Sequence, residues 1–495
     1  MAAVTIAQMR QLEASAMATG ISEEALLNAA GEALGMALGR HFPNPGTAVG
    51  YLGKGHNAGD TLVALRILRD HFGWNILTRQ AFPLEHCAPL TRRKWQELHP
   101  ASLPSESHLS GRDHPLLLLD GLLGIGATGP LRPPLQSLAQ EMAHLRATQG
   151  ARIAAIDTPS GIDPDRGELF ENTVIADITF MIGCAKRGLL LSQAATATGA
   201  LAIVEIPSLS CQNRGDLELI TPQNTRIRIP PRPFDFHKGL AGRVAILAGS
   251  DAYTGAAALA TAGALRGGGG LVTLFTPASS LSRISAKCSP EAIIRSCQDP
   301  RELLESRFDA LVIGCGLDNF FDPTALVDLL LRAPTPVVID AGALDVLAKS
   351  GKMDQLTERH VLTPHPGEFA RIAPDLADLP RETAARRFTD RHAATLLLKG
   401  CRTLVTRRGH PLWCNATGTP AMASGGQGDL LAGVIGARLA AGTDPLDAAS
   451  LAAWICGRAA EIAMTHPHAS EESLLPSDML PLLGAAFNDW KRGGR

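Results

Sequence analysis

The sequence predicts an α/β protein of two domains, and three observations carry that reading. Its 495 residues exceed a single domain of ordinary size, about 100–200 residues. Short apolar runs alternate with stretches of helical periodicity along the whole length, the pattern of parallel sheets covered by helices. Between the halves, residues 221–236 hold Pro222, Pro230, Pro231 and Pro233 among scattered charges. Proline locks φ and removes a backbone donor, so this stretch joins no sheet interior and reads as a linker. The expected division is a first domain over 1–222, a linker over 223–236 and a second domain over 237–495.

In the first half, apolar runs predict strands over 48–52, 116–119, 152–156 and 178–182. Leu62, Val63, Arg66 and Ile67 recur at helical spacing and predict a helix over 60–71. In the second half, strands are expected over 244–248, 271–275, 310–313, 336–339 and 396–398. Runs rich in Ala and Leu predict helices over 430–441 and 445–463. No short-period repeat occurs, which excludes solenoids and propellers.

Composition narrows the function. Charged residues make up 19% and the apolar set 45%, an ordinary globular balance. The formal net charge is −2, with 46 Lys and Arg spread along the chain, so no nucleic-acid partner is expected. Uncharged runs such as 188–204 and 267–282 are broken by Gly, Ser, Thr or Pro, so no membrane partner is expected either. Met1-Ala2-Ala3-Val4-Thr5 lacks the basic start and apolar core of a signal peptide. The nine cysteines include no Cys-x-x-Cys pair, which speaks against zinc ribbons and thioredoxin-type sites. A reduced, cytoplasmic protein is expected.

The first expected strand runs into Gly53-Lys54-Gly55-His56-Asn57-Ala58-Gly59-Asp60 and then a helix. Small residues there admit a ligand close to the backbone, and helix-start amides favour an anion; a tight strand-to-helix turn is the alternative. Two further strands end in carboxylates, Asp120 and Asp157, the latter followed by Thr158-Pro159-Ser160-Gly161. Ligands of open α/β sheets gather beyond the carboxyl ends of strands, so three such ends together outweigh the capping role each would have alone. Gly124-Ile125-Gly126-Ala127-Thr128-Gly129 matches G-x-G-x-x-G, but Pro130, Pro133 and Pro134 follow at once, so no helix opens inside the loop. A dehydrogenase is rejected on that ground. P-loop and α/β-hydrolase signatures are absent.

These segments, with Asp120-Gly121-Leu122-Leu123-Gly124, Ile156-Asp157-Thr158-Pro159-Ser160-Gly161-Ile162-Asp163 and Ala185-Lys186-Arg187-Gly188-Leu189, resemble the YjeF N-terminal family of NAD(P)H-hydrate epimerases. The resemblance implies a Rossmann-like three-layer αβα domain that interconverts the two epimers of hydrated NADH or NADPH. It implies that Asn57, Asp120 and Ser160 hold a potassium ion. It also implies that His56, Asn57, Ala58, Gly59 and Asp60, with Gly124, Ile125, Gly126, Ala127, Thr128, Gly129 and Pro130, receive the cofactor. Asp157 would contact the nicotinamide end and act catalytically. The chain departs from the usual pattern at His56, Ala58 and Thr61.

In the second half, Thr363-Pro364-His365-Pro366-Gly367-Glu368 braces an imidazole between two prolines. Ile339-Asp340-Ala341 ends another strand in a carboxylate. The sharpest signal is Ser424-Gly425-Gly426-Gln427-Gly428-Asp429 opening a helix. Glycine amides at a helix start suit phosphate oxygens, and Asp429 beside them can take a hydroxyl proton; a capping aspartate is the alternative. With His237-Lys238-Gly239, these segments resemble the ribokinase-like superfamily and, within it, the ADP-dependent NAD(P)H-hydrate dehydratases.

That resemblance implies a ribokinase-like α/β domain using ADP with Mg2+. Ala256 or Ala257, Gly316, His365 and Asp429 would contact the hydrated cofactor, with Asp429 as the catalytic base. Lys399, Gly400, Cys401, Arg402, Thr403 and Gly428 would contact the nucleotide. Gln427 stands where threonine is common and Cys315 where proline is common. The expected function is repair of hydrated NAD(P)H by epimerisation and dehydration, with a homo-oligomer left open. The alternative is a ribokinase-like small-molecule kinase carrying a non-catalytic nucleotide-binding module in front.

Overall fold

The computed structural model describes residues 3–103, 109, 115–209, 211 and 215–493. They form two compact units, Met1–Leu217 and Glu218–Arg495. The first contains β1 (Thr47–Leu52), β2 (Asn75–Gln80), β3 (Ala101–Ser102), β4 (Leu116–Gly121), β5 (Arg152–Ile156), β6 (Ile178–Ile182) and β7 (Ala200–Val204). Their order is β3-β2-β1-β4-β5-β6-β7, parallel throughout.

Successive side chains of a strand point to opposite faces, and here both faces are apolar. Leu117 and Leu119 of β4 join one buried cluster with Leu34, Leu38, Leu62 and Leu65. Leu116 and Leu118 join another with Leu138, Met142 and Leu145. Helices Glu23–His41 and His56–Phe72 therefore cover one face and Leu135–Gln149 the other, giving the three-layer αβα arrangement.

The second sheet comprises β8 (Leu217–Leu219), at the division between the units, then β9 (Arg243–Leu247), β10 (Leu271–Thr276), β11 (Ile293–Ser296), β12 (Ala310–Ile313), β13 (Val337–Ile339), β14 (His360–Leu362), β15 (Thr395–Leu398), β16 (Thr403–Thr406) and β17 (Leu412–Asn415). Its order is β11-β10-β9-β12-β13-β14-β15-β16-β17-β8. Pairings from β11 to β15 are parallel, and β15, β16 and β17 pair antiparallel. Helices Thr254–Arg266, Gln427–Ala440 and Pro445–Ala463 bury Ala257, Ala260, Val434, Ile435 and Trp454 against it.

The strands expected over 152–156, 178–182 and 310–313 run over those residues, as does the helix over 445–463. Two helices start earlier than their apolar periodicity suggested, at His56 and Gln427, because their first turns are polar or glycine-rich. β2, β3, β7, β8, β11, β14, β16 and β17 escaped the sequence reading. β14 has only three residues, though Val361 and Leu362 are wholly buried, and β2 carries Asn75, Thr78, Arg79 and Gln80, so neither offers an apolar run long enough to read as a strand. The proline-bearing stretch 223–236, read as a linker, falls within the second unit. Ile227 is buried in that unit's core, its carbonyl accepts from Trp490 Nε1 at 3.3 Å, and Arg232 donates to the Gly268 carbonyl. Among the described residues, no helix is long and apolar enough to cross a membrane.

Each sheet has one place where consecutive strands leave in opposite directions. In the first it lies between β1 and β4, in the second between β9 and β12. Crevices at such switch points are where open α/β sheets take ligands. At the first, Gly53 approaches so closely that a Cβ would stand 1.8 Å from the Leu122 carbonyl oxygen. At the second, Gly314, at φ +124°, would place one 1.7 Å from that of Asp340.

Candidate active sites

In the first unit, Asn57, Asp120 and Ser160 meet beyond β1, β4 and β5. Ser160 donates to Asp120 from its hydroxyl at 2.6 Å and from its amide at 2.7 Å, and accepts from the Leu123 amide at 2.9 Å. Asn57 Nδ2 donates to the carbonyls of Leu123 and Ile156, which leaves its amide oxygen for a cation. Asp120 is wholly buried with only neutral donors around it, and burial pushes its carboxyl up to about 6. A buried carboxylate beside hydroxyl and amide oxygens fits a hard cation, which would offset its desolvation.

Asp157 sits one residue past β5 at φ +66°, a left-handed conformation rare outside glycine. Its carboxylate accepts from the Ile182 amide at 2.8 Å and binds the ammonium of Lys186, which is wholly buried and also donates to the Ile182 carbonyl. Glu13, on the helix Ile6–Ala18, and Asp60 share this electrostatic neighbourhood. Burial, then the Asp157 charge, raises both carboxyls, Asp60 strongly.

The segment expected as a loop over His56-Asn57-Ala58-Gly59-Asp60 is instead the first turn of a helix. The Ala58 side chain is wholly buried and a Cβ on Gly59 would stand 2.9 Å from Leu27, so only backbone atoms of these two are left to meet a ligand; His56 is exposed and lies 3.5 Å from Glu23. The segment Gly124, Ile125, Gly126, Ala127, Thr128, Gly129 and Pro130 remains outside helix and strand and partly exposed. A Cβ on Gly126 would stand 3.6 Å from Arg10 Nη2, so the Arg10 guanidinium lies against this loop.

In the second unit, Asp429 lies in the first turn of the helix Gln427–Ala440, whose N-cap is Gly426 at φ +96° with no side-chain cap. Cys315 Sγ, an Asp340 oxygen and an Asp429 oxygen lie within 4.8 Å of one another. Lys399 Nζ is 2.8 Å from Asp340 Oδ1 and 3.6 Å from Glu368 Oε2. Burial, with the neighbouring Asp340 charge, pushes the Asp429 carboxyl up to about 6.

His365 is the N-cap of the helix Pro366–Ile372. Its Nδ1 accepts from the amides of Gly367 and Glu368, which places the proton of a neutral ring on Nε2, on a half-exposed side chain. Of the two alanines expected at the substrate, Ala257 is wholly buried and Ala256 is part exposed, beside Gly316. Lys399, Gly400, Cys401 and Arg402 form the turn between β15 and β16, and Thr403 opens β16. Arg381 pins that turn by donating to the carbonyls of Leu398, Lys399 and Cys401. Arg402 is buried, so its backbone and neighbours carry the turn's surface. Gly428 faces Lys399 Nζ, 3.2 Å from where a Cβ would be.

Sequence reasoning did not single out Glu13, Arg10 or Lys186 as site residues, nor place Asp340 and Glu368 at one. Lys186 had a signal, its place in Ala185-Lys186-Arg187-Gly188-Leu189 just past an apolar strand. Glu13 and Arg10 had none.

The family described as YjeF-related protein N-terminus matches residues 23–188, and the family described as NAD(P)H-hydrate dehydratase matches residues 244–481. The Bifunctional NAD(P)H-hydrate repair enzyme Nnr of Gloeobacter violaceus is 36% identical, over 97% of this chain and 98% of its own. The chain belongs to the bifunctional NAD(P)H-hydrate repair enzymes. The repair enzyme of Moorella thermoacetica is 32% identical over 97% of this chain and 95% of its own. A ribokinase-like superfamily protein of Enterococcus faecalis, 23% identical, matches 57% of this chain and 99% of its own with a TM-score of 0.50, a likeness of fold. The repair-enzyme family thus joins an epimerase-type αβα unit to a ribokinase-like dehydratase unit in this chain.

Proposed function

We propose that residues 1–222 interconvert the S and R forms of hydrated NADH and NADPH, and that residues 237–495 dehydrate the S form at the expense of ADP, releasing AMP and phosphate. The observation that carries this reading is Asp429. It sits at a helix start behind glycine amides, beside Cys315 and Asp340 at the ends of β12 and β13, with a proton affinity suited to a base near neutral pH.

Hydroxide leaves the hydrated ring poorly, whereas phosphate leaves well. Asp429 takes the proton from the ring hydroxyl, whose oxygen attacks the terminal phosphorus of ADP as the bond to AMP breaks. The amides around Gly425 to Gly428 stabilise the transferring phosphoryl group. Magnesium bound with the nucleotide would supply further charge neutralisation there. Loss of phosphate and a ring proton then restores the dihydronicotinamide. Ala256, Gly316 and His365 line the cofactor side, the His365 Nε2–H serving as donor. Lys399, Gly400, Cys401, Thr403 and Gly428 serve the nucleotide side.

In the first unit, Asp157, beside the buried ammonium of Lys186, takes the proton of the ring hydroxyl as the adjacent ring carbon–nitrogen bond opens to an aldehyde and a ring N–H. Re-addition of that nitrogen to the other face of the aldehyde restores the hydroxyl. Potassium at Asn57, Asp120 and Ser160 would supply a fixed positive charge beside the cofactor. Arg10 suits the cofactor pyrophosphate along the loop from Gly124 to Pro130. Nine free cysteines fit a reducing compartment, the cytoplasm. Mixing both epimers of hydrated NADH with enzyme, ADP and Mg2+ tests the whole. Full return of NADH absorbance, faster than spontaneous epimerisation, is the expected result. A halt after one epimer removes the epimerase; no return with ADP or ATP removes the repair reading.

A further inference from the structure

We infer that Asp340 is a positioning residue of the second unit: clamped by Lys399 and Thr363, it holds a negative charge beside Asp429 and makes Asp429 a stronger base toward the substrate hydroxyl. This rests on Asp429 being the proton acceptor.

The geometry gives the two carboxylates of this site unequal standing. Asp340 follows β13 and is almost completely buried. Its Oδ1 accepts from Thr363 Oγ1 at 2.8 Å and from Lys399 Nζ at 2.8 Å, so its charge is paired and its orientation set. Asp429 has no such clamp. Its neighbour is the Cys315 thiol, wholly buried, whose Sγ also lies 3.8 Å from Asp340 Oδ2. Burial and the flanking carboxylates push the Cys315 thiol well up, so it stays protonated: a weak donor between two acids, not a third charge.

The groups facing Asp429 come from four segments: Asp340 after β13, Cys315 after β12, Lys399 after β15 and Glu368 on the helix Pro366–Ile372. Asp340 and Glu368 raise its proton affinity, whereas Lys399 and the thiol lower it. Two like charges in one desolvated site push their proton affinities apart, and the one already paired with a cation keeps its charge. Lys399 pairs with Asp340 at 2.8 Å, and the Asp340 charge in turn opposes ionisation of Asp429. Asp429 thus enters the reaction as a carboxylate only at the upper end of its range, where its grip on the incoming proton is strongest.

The two clamp residues predict shifts of opposite sign, which a purely structural role would not produce. The experiment follows kcat against pH for the full chain, with the S epimer, ADP and Mg2+ saturating. In Asp340→Asn the acid limb moves down by about one pH unit or more, the size of a neighbouring charge's effect. In Lys399→Met, saturation with ADP covers any loss of nucleotide affinity, and the limb moves up. Rates that fall equally at all pH values in both variants, with the limb unmoved, overturn the inference. If Asp340→Asn does not fold, Asp340→Ser, which also removes the charge but keeps a hydroxyl, decides: its limb must move down in the same sense. Failure of the underlying reading looks different: Asp429→Asn would then turn over at the wild-type rate.

Discussion

The ammonium of Lys186 and the carboxylate of Asp157 form a buried ion pair at the end of β5, and Asp157 makes it from a left-handed backbone. The strained conformation and the buried charge each cost free energy, so the pair must be met from both sides to persist. Glu13 and Asp60 add carboxyls to the same pocket, both held above their usual range.

Replacing Asp157 by Asn strands the Lys186 ammonium. Breaking a buried pair by one partner typically costs about 3–5 kcal/mol, so thermal unfolding of the first unit should come markedly earlier. Epimerisation should fall at least about 100-fold while ADP-dependent dehydration of pure S epimer is retained. Adding Lys186→Met should recover much of the stability and none of the epimerisation. Recovery of both would remove Asp157 from the reaction.

Asp429→Asn should lower dehydration by about 10²–10⁴-fold and leave epimerisation intact. Wild-type dehydration should decline as pH falls through about 6, because the base becomes protonated. Stability has the opposite slope. A carboxyl held at about 6 in the folded chain, against 3.8 ordinarily, favours folding when protonated, so this contribution is lost as pH rises from about 4 to 6. Denaturant melts at the two ends of that window should differ less in Asp429→Asn than in wild type. An unchanged difference would contradict the assigned proton affinity.

Substituting an organic cation such as choline for potassium should slow epimerisation and leave dehydration untouched. Asp120→Asn should already be slow and insensitive to the exchange, since the buried carboxylate that would hold the ion is gone. Epimerisation at full rate without potassium would remove the ion from Asn57, Asp120 and Ser160.

Gly433→Ala tests the packing beneath the second site. Its Cβ would stand 2.0 Å from the Ala260 carbonyl oxygen, where helices Gln427–Ala440 and Thr254–Arg266 touch backbone to backbone. Overpacking there should cost about 1–3 kcal/mol and displace Asp429, one turn upstream. A melting curve and a dehydration rate both equal to wild type would show that the helices separate freely.

The sequence by itself determined the α/β class, the central strands and the segments that meet at both sites. Continuous apolar runs specify strands buried on two faces, and glycines and carboxylates at strand ends mark a ligand crevice. It also carried the family resemblance, which the comparisons bear out. Tertiary structure alone decided which side chains of those segments are buried in the core. Ala58 and Ala257 turn into the core because helices beginning at His56 and Thr254 rotate them there, a phase that periodicity does not reveal at a helix's first turn. It alone joined Lys186 to Asp157, Arg10 to the loop at Gly126, and Lys399 to Asp340, residues 59 apart in sequence. Charge pairing in a desolvated crevice depends on distance in space, and the parallel strand order, not spacing along the chain, sets that distance.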